Sequence, residues 1–277
     1  MRWIDIKQLP DEQFKRATGL TPLLFLTLVE LIQDYFSSRK YSGRPSLLSI
    51  EDQLLLTLMY YREYRTLFMI GMTYGLAEST TWQIIRKIEQ ILSTSPEFQE
   101  LSKNKLPIDN QEATYLVDAT EIAIERPKTD QEFYYSGKKK KHTMKVQLVI
   151  DRQSTKVVHL AFSNGKTHDF ALFEQHCDNF SPEVHFYADS GYEGLDKLFP
   201  NSFTPYKKMK NKVLTAFQKT ANQVLSSIRV GVEHVIRSFK KFRILSFVYR
   251  NRHDNLDLRT KIIASFHNSM LKNVINT

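Results

Sequence analysis

Cysteine is nearly missing from this chain of 277 residues; Cys177 is the only one. One thiol builds no disulfide framework and no cysteine-based metal site. That scarcity fits a reducing, cytoplasmic compartment. Long apolar runs are missing too, and none approaches the length of a membrane span. The opening residues, Met1-Arg2-Trp3-Ile4-Asp5, lack the charged-then-apolar order of a secretory signal. No internal repeat or low-complexity tract is evident. From Phe203 to Arg252 acid is also scarce: twelve Lys or Arg accompany a single carboxylate, Glu233.

What is present is ordinary globular material, 42% hydrophobic and 25% charged. It suffices for one large or two modest domains. Net charge is +9 and the sequence pI about 9.4. Such a surplus points to a polyanionic partner, most simply nucleic acid, although a merely basic surface has the same total. A lone carboxylate inside so basic a tract calls for a reason other than solubility.

Residues 1 to about 105 read as helical. Leu20 to Phe36 carries apolar residues at helical spacing, with Thr21 and Pro22 as N-cap and first-turn pair. Gly43-Arg44-Pro45-Ser46 breaks the pattern. Ser49 with Asp52 resembles a capping box ahead of the next helix. Two further helices, Thr66 to Tyr74 and Glu78 to Leu92, are joined by Gly75-Leu76-Ala77. This is the spacing of a helix-turn-helix. In its DNA-binding form the second helix enters the major groove. Here it would offer Ser79, Thr80, Thr81, Gln83 and Arg86. A plain helical hairpin in a bundle has the same spacing, and both readings stand at this point. The polar stretch Leu101 to Gln111, with Pro107, marks a boundary.

The hydrophobic period then changes. Thr114 to Asp118 reads as a strand, Thr120 to Thr143 as a connection, and Met144 to Asp151 and Lys156 to Phe162 as an antiparallel pair around a turn at Gln153-Ser154. Thr167 to Cys177 reads as a helix capped by Thr167. Val184 to Ala188 is the fourth strand, Tyr192 to Leu198 a short helix, Phe203 to Tyr206 a fifth strand, and Val224 to Phe242 a long helix. The order predicts a ribonuclease-H-like α/β fold: a mixed five-stranded sheet with flanking helices, behind an all-α helix-turn-helix domain. The domains expected are 1–105 and 106–277.

Phe186-Tyr187-Ala188-Asp189-Ser190-Gly191-Tyr192-Glu193-Gly194 is a strand ending on a carboxylate and a sharp turn. Ligands of open α/β sheets sit at this edge. If the first and fourth strands are neighbours, Asp118 and Asp189 lie side by side. On the last helix Leu225, Ile228, Val232, Val235, Ile236 and Phe239 fall within an arc of roughly 100°. Arg229, Glu233, Arg237 and Lys240 share an adjacent arc of roughly 80°. Glu233 therefore sits at the margin of the buried face. Three converging carboxylates repel one another unless a divalent cation joins them. Oxygen-only ligands favour Mg²⁺ or Mn²⁺, and two such ions roughly 3.5–4 Å apart can drive phosphodiester cleavage. Asp169, Glu121 and Glu193 are rival carboxylates near the same edge.

Several stretches together resemble one family. They are Val117-Asp118-Ala119-Thr120-Glu121-Ile122, Ile124-Glu125-Arg126-Pro127, Tyr134-Tyr135-Ser136-Gly137-Lys138-Lys139-Lys140, Gly165-Lys166-Thr167-His168-Asp169-Phe170, Ala188 to Gly194, Ser227 to His234, and Tyr249-Arg250-Asn251-Arg252. In this order the chain resembles DDE-type transposases of bacterial insertion sequences, in the insertion-sequence-five group, and their domesticated nuclease relatives. The resemblance implies that Asp118, Asp189 and Glu233 are metal-binding catalytic acids. Arg229, Glu233 and Lys240 satisfy the family's arginine–glutamate–lysine signature, while Ser226 stands where some relatives have a DNA-contacting tyrosine. It further implies binding of terminal inverted repeats and target DNA, strand cleavage and transfer, and a homodimer on DNA. The expected location is the bacterial cytoplasm, on the nucleoid and away from any membrane. A domesticated nuclease, a catalytically silent DNA-binding protein and a nuclease for RNA–DNA hybrids are the alternatives.

Other residues have two readings each. Lys138, Lys139, Lys140 and Lys141 form either a solvated loop or a contact to the DNA backbone, which the fold position favours. Tyr192 could stack on a splayed base or fill the core. His168 and Asp169 fit a helix cap and first turn. Cys177 reads as a small buried hydrophobe.

Overall fold

The computed structural model of the protein describes residues 1–38, 46–103, 113–208 and 213–275. In chain order the first helices are α1 (Trp3–Ile6), α2 (Asp11–Thr18), α3 (Pro22–Ser37), α4 (Ile50–Arg62), α5 (Leu67–Tyr74), α6 (Glu78–Leu92) and α7 (Pro96–Ser102). There follow β1 (Thr114–Ala123), α8 (Gln131–Tyr134), β2 (Tyr135–Ser136), β3 (Lys141–Asp151), β4 (Val157–Asn164), α9 (Asp169–Glu174), β5 (His185–Tyr187), α10 (Leu195–Leu198), α11 (Ala216–Lys240) and α12 (Leu256–Ile275). The expected break at Gly43–Pro45 and the boundary around Pro107 lie outside the described residues.

Two compact units result. One holds Met1–Ser102, Phe239–Phe247 and Asn255–Thr277; the other holds Lys103–Ser238 and Val248–Asp254. A single cut near residue 105 would give all of 106–277 to the second domain. The structure instead returns two later segments to the helical unit. Their apolar residues explain it: Phe242, Ile244, Leu256, Ile262, Ile263 and Phe266 are buried.

In the helical unit local signals set the helix starts. The hydroxyls of Thr21, Ser49 and Thr66 accept hydrogen bonds from the amides of Leu24, Asp52 and Met69. Each such cap contributes about 1 kcal/mol. Trp3, Phe14 and Phe25 pack ring on ring, with Trp3 and Phe25 stacked at 5.2 Å. A charged knot crosses this apolar interior. Glu89 of α6 is fully buried and accepts from Tyr61 Oη at 3.0 Å and from Arg259 Nε of α12 at 2.6 Å. Arg86 donates to Glu89 at 3.1 Å and to Asn255 at 2.8 Å.

In the second unit the sheet order is β2-β3-β1-β5, with β4 on β3. β1 and β3 are antiparallel, whereas β1 and β5 are parallel. β1 runs on to Ala123, so the stretch read as a connection from Thr120 begins as strand. Its extension is held by pairing with β3 as far as Ala123↔Thr143. Phe203–Tyr206 is not a strand but makes one bridge, Tyr187↔Phe203, and the fifth strand is β2. The helix expected over Thr167 to Cys177 is shorter, with His168 rather than Thr167 at its N-cap. One face of β1 and β3 packs on an aromatic cluster of Phe173, Phe180, Phe186, Tyr192 and Phe199. On the other face α11 comes so close that a Cβ on Gly231 would stand 3.0 Å from Leu116 Cδ1. Leu225, Val232 and Val235 are the buried stripe of α11. That approach brings Arg229, beside the stripe, to Asp118 of β1.

Candidate functional site

Parallel pairing of β1 with β5 ends at Leu116↔Tyr187. Two residues further on each strand stand Asp118 and Asp189. The register thus puts both acids at the same level, just where the ladder opens. Asp118 Oδ1 accepts from the Ala119 amide at 2.8 Å. Asp189 caps the tight turn Ser190–Tyr192, its Oδ1 accepting from the Gly191 amide at 2.7 Å. Gly191 is required for space: a Cβ there would meet Asp189 Oδ1 at 2.9 Å and Asp169 Oδ2 at 3.1 Å.

Asp169, one of the rival carboxylates, therefore belongs to the same edge. Its Oδ1 pairs with Lys145 Nζ at 2.5 Å, and Lys145 also donates to the Thr167 carbonyl. Gln147 donates to the Asp169 carbonyl at 3.0 Å and to Tyr192 Oη at 2.9 Å. Tyr192 is fully buried and its hydroxyl is pushed well up by burial and by Asp169. Of its two readings, core filling is the right one.

Burial is the first cause of the perturbation of Asp118, whose carboxyl is raised to about 6. Arg229 and the Ala119 amide pull it down; Asp189 and Asp169 push it up. The Arg229 guanidinium stands 3.6 Å from Asp118, with side-chain exposures of 15% and 18%. Arg229 Nε is buried without a hydrogen-bond partner. Glu233, one turn later on α11, is exposed. The α11 side chain that reaches Asp118 is thus a cation, as electrostatics favours beside crowded carboxylates. Among the described residues no three His, Cys, Asp or Glu side chains are grouped to hold a metal ion. The structure brings Asp118, Asp189 and Asp169 to one edge, and Glu233 is exposed one turn beyond Arg229 on α11.

Lys138, Lys139, Lys140 and Lys141 are exposed in the turn from β2 to β3, and Arg237 and Lys240 are exposed on α11. On α6, Ser79 and Gln83 are exposed and Thr80 is half-buried. Thr81 is a correction: it is wholly buried and its hydroxyl donates to the Ala77 carbonyl, so it faces no groove. Arg86 is half-buried and tied to Glu89 and Asn255. The spacing missed Trp82, half exposed on the outer face of α6. It also missed Lys145, which is buried although charged.

The donor set consists of carboxylate oxygens, which suits Mg²⁺ or Mn²⁺ better than zinc. A buried carboxyl held up near 6 is one that a cation would return to its charged form. In kind, though not in grouping, these donors are therefore those a divalent metal takes.

A mixed five-stranded sheet of this order, with a helix-turn-helix ahead of it in the chain, is the architecture of a ribonuclease-H-like fold. The family model described as DDE superfamily endonuclease matches residues 117–268, and that for the helix-turn-helix of DDE superfamily endonuclease matches residues 45–98. The chain belongs to the DDE superfamily endonucleases, and it combines the helix-turn-helix and endonuclease domains of a transposase. It is 41% identical, over 95% of both chains, to the probable transposase for insertion sequence element IS702 of Microchaete diplosiphon. It is 24% identical, over 92% of this chain and 93% of the other, to a transposase ascribed to insertion sequence element IS112 of Streptomyces albus G. Endonucleases of this superfamily generally use divalent metal ions. Among the described residues no single helix is long and apolar enough to cross a membrane.

Proposed function

We propose that the protein binds the terminal inverted repeats of a mobile element, cleaves the DNA there, and joins the freed end to target DNA. The observation that carries the reading is the Asp118–Asp189 pair, level with each other at the open end of β1 and β5. Two Mg²⁺ or Mn²⁺ ions would be held by Asp118, Asp189 and Glu233. When bound, such ions activate the attacking water and stabilise the leaving oxygen. Asp118 and Asp189 fix the level at which the scissile phosphate must lie. Arg229, with an unpartnered buried Nε, binds a non-bridging phosphate oxygen. Lys138 to Lys141, Arg237 and Lys240 hold the flanking phosphates. Ser79, Thr80 and Gln83 meet base edges in the major groove.

Two displacements at phosphorus follow. Water attacks first, the bond to the 3′ oxygen breaks, and a 3′-hydroxyl is released. That hydroxyl then attacks a target phosphodiester, losing its proton and expelling a target 3′-hydroxyl. Paired ends require two copies of the chain, so the active assembly is a homodimer on nucleoid DNA. A nicking assay on duplexes carrying candidate ends tests this. Asp118→Ala and Asp189→Ala should each abolish Mg²⁺-dependent cleavage while end binding persists. Full cleavage by either variant would sink the assignment.

A further inference from the structure

Beside the acids lies a groove of about 1230 Å³, between the segment after β5 and the first half of α11. We propose that it holds unpaired nucleobases of the strand cleaved at Asp189. This rests on the DNA-cleaving reading above. The groove begins at Ser190, the residue after Asp189, so a strand with its phosphate at the acid delivers its next bases there. It exceeds the roughly 300–1,000 Å³ of ordinary small-ligand sites.

Its walls are aromatic. Tyr187 and Phe203 stack at 5.2 Å and 19°, with the Arg152 guanidinium 5.4 Å from the Tyr187 ring centre. Phe203 and Tyr206 are about half exposed, and Phe217 is 74% exposed. Tyr206 is also fixed in place. Its amide donates to Asn222 Oδ1 at 2.9 Å, and its carbonyl accepts from Asn222 Nδ2 at 3.1 Å. Planar side chains open to solvent are what base stacking needs.

Charge separates this occupant from a second copy of the chain. Each copy carries +9, so like copies repel and a polyanion is drawn in. Of the two acids lining one end, Glu193 and Asp196, Glu193 is paired with Lys207 at 2.5 Å. Lys197, Lys208 and Lys219 are exposed nearby in sequence. Bases occupy the aromatic floor, and phosphates stay at the rim.

The test is fluorescence anisotropy in EDTA with two probes: a blunt duplex, and the same duplex with an unpaired oligothymidine 3′ tail. Wild type should prefer the tailed probe. Phe203→Ala and Phe217→Ala should each weaken tailed binding about 5- to 150-fold, the loss of one stacked base, and leave blunt binding unchanged. Equal losses on both probes, or none, would overturn the proposal. So would unchanged DNA binding together with a shift from dimer to monomer in sedimentation velocity, which would make the groove a contact between copies. Asp189→Asn should stop nicking yet keep the tail preference. Nicking by that variant would overturn the cleavage reading without touching the groove.

Discussion

Replacing Asp118 by Asn should stabilise the protein when divalent metal is absent. Burial and two neighbouring acids raise the Asp118 carboxyl from 3.8 to about 6 in the folded chain. A shift of roughly 2 units is worth roughly 3 kcal/mol. The sign follows from linkage: the folded state binds the proton more tightly than the unfolded state does. The contribution to stability is therefore fully present below pH 3.8 and is lost as pH rises through about 6. At pH 8 the ionised side chain costs the fold that amount relative to its protonated form. Asparagine keeps the shape and the acceptor for the Ala119 amide, and it carries no charge. Its lost attraction to Arg229 is already included in the net shift. Urea denaturation in EDTA should thus show Asp118→Asn more stable than wild type by about 2–3 kcal/mol at pH 8, with almost no difference at pH 4. Adding Mg²⁺ should raise the stability of wild type and not of the variant, because only a binder of the folded state shifts the midpoint. An equal gain at both pH values, or a loss at pH 8, would refute the reasoning.

Glu89→Ala should cost about 3–5 kcal/mol in urea denaturation, because the buried Arg259 guanidinium would lose its counter-charge. A cost below about 1 kcal/mol would show that the pair is dispensable. Gly191→Val should lower the nicking rate far more than the thermal midpoint, since the side chain would press on Asp189 and Asp169 rather than on the core. An unchanged rate would refute that.

Local rules reached furthest where they are strongest. Thr66, Gly75 and the glutamate opening α6 bounded α5 and α6 to within a residue, because caps and turns act over three or four positions. Alternation put Asp118 on β1 and Asp189 at the end of β5 for the same reason. Periodicity also assigned the faces of α11 correctly, but not its start. Gln218 to Asn222 carries no apolar stripe, yet the helix begins at Ala216. Thr81 and Tyr192 were hard for a different reason. Both have polar groups that look available, and only packing shows that Ala77 and Gln147 already satisfy them. Lys145 was hidden by its charge, which reads as solvent-facing until Asp169 is found beside it. The elements expected from the sequence end at Phe242, so α12 (Leu256–Ile275) was not foreseen. Its neighbours α3, α6 and α7 lie more than a hundred residues earlier.

The partner of Glu89 lies 170 residues downstream of it. The ribosome therefore makes α6 early and its buried counter-charge much later. Until α12 emerges, α6 carries a glutamate bound for an apolar interior with only Arg86 of its own helix to meet it. A chain without α12 therefore cannot complete the buried ion pair of its helical unit.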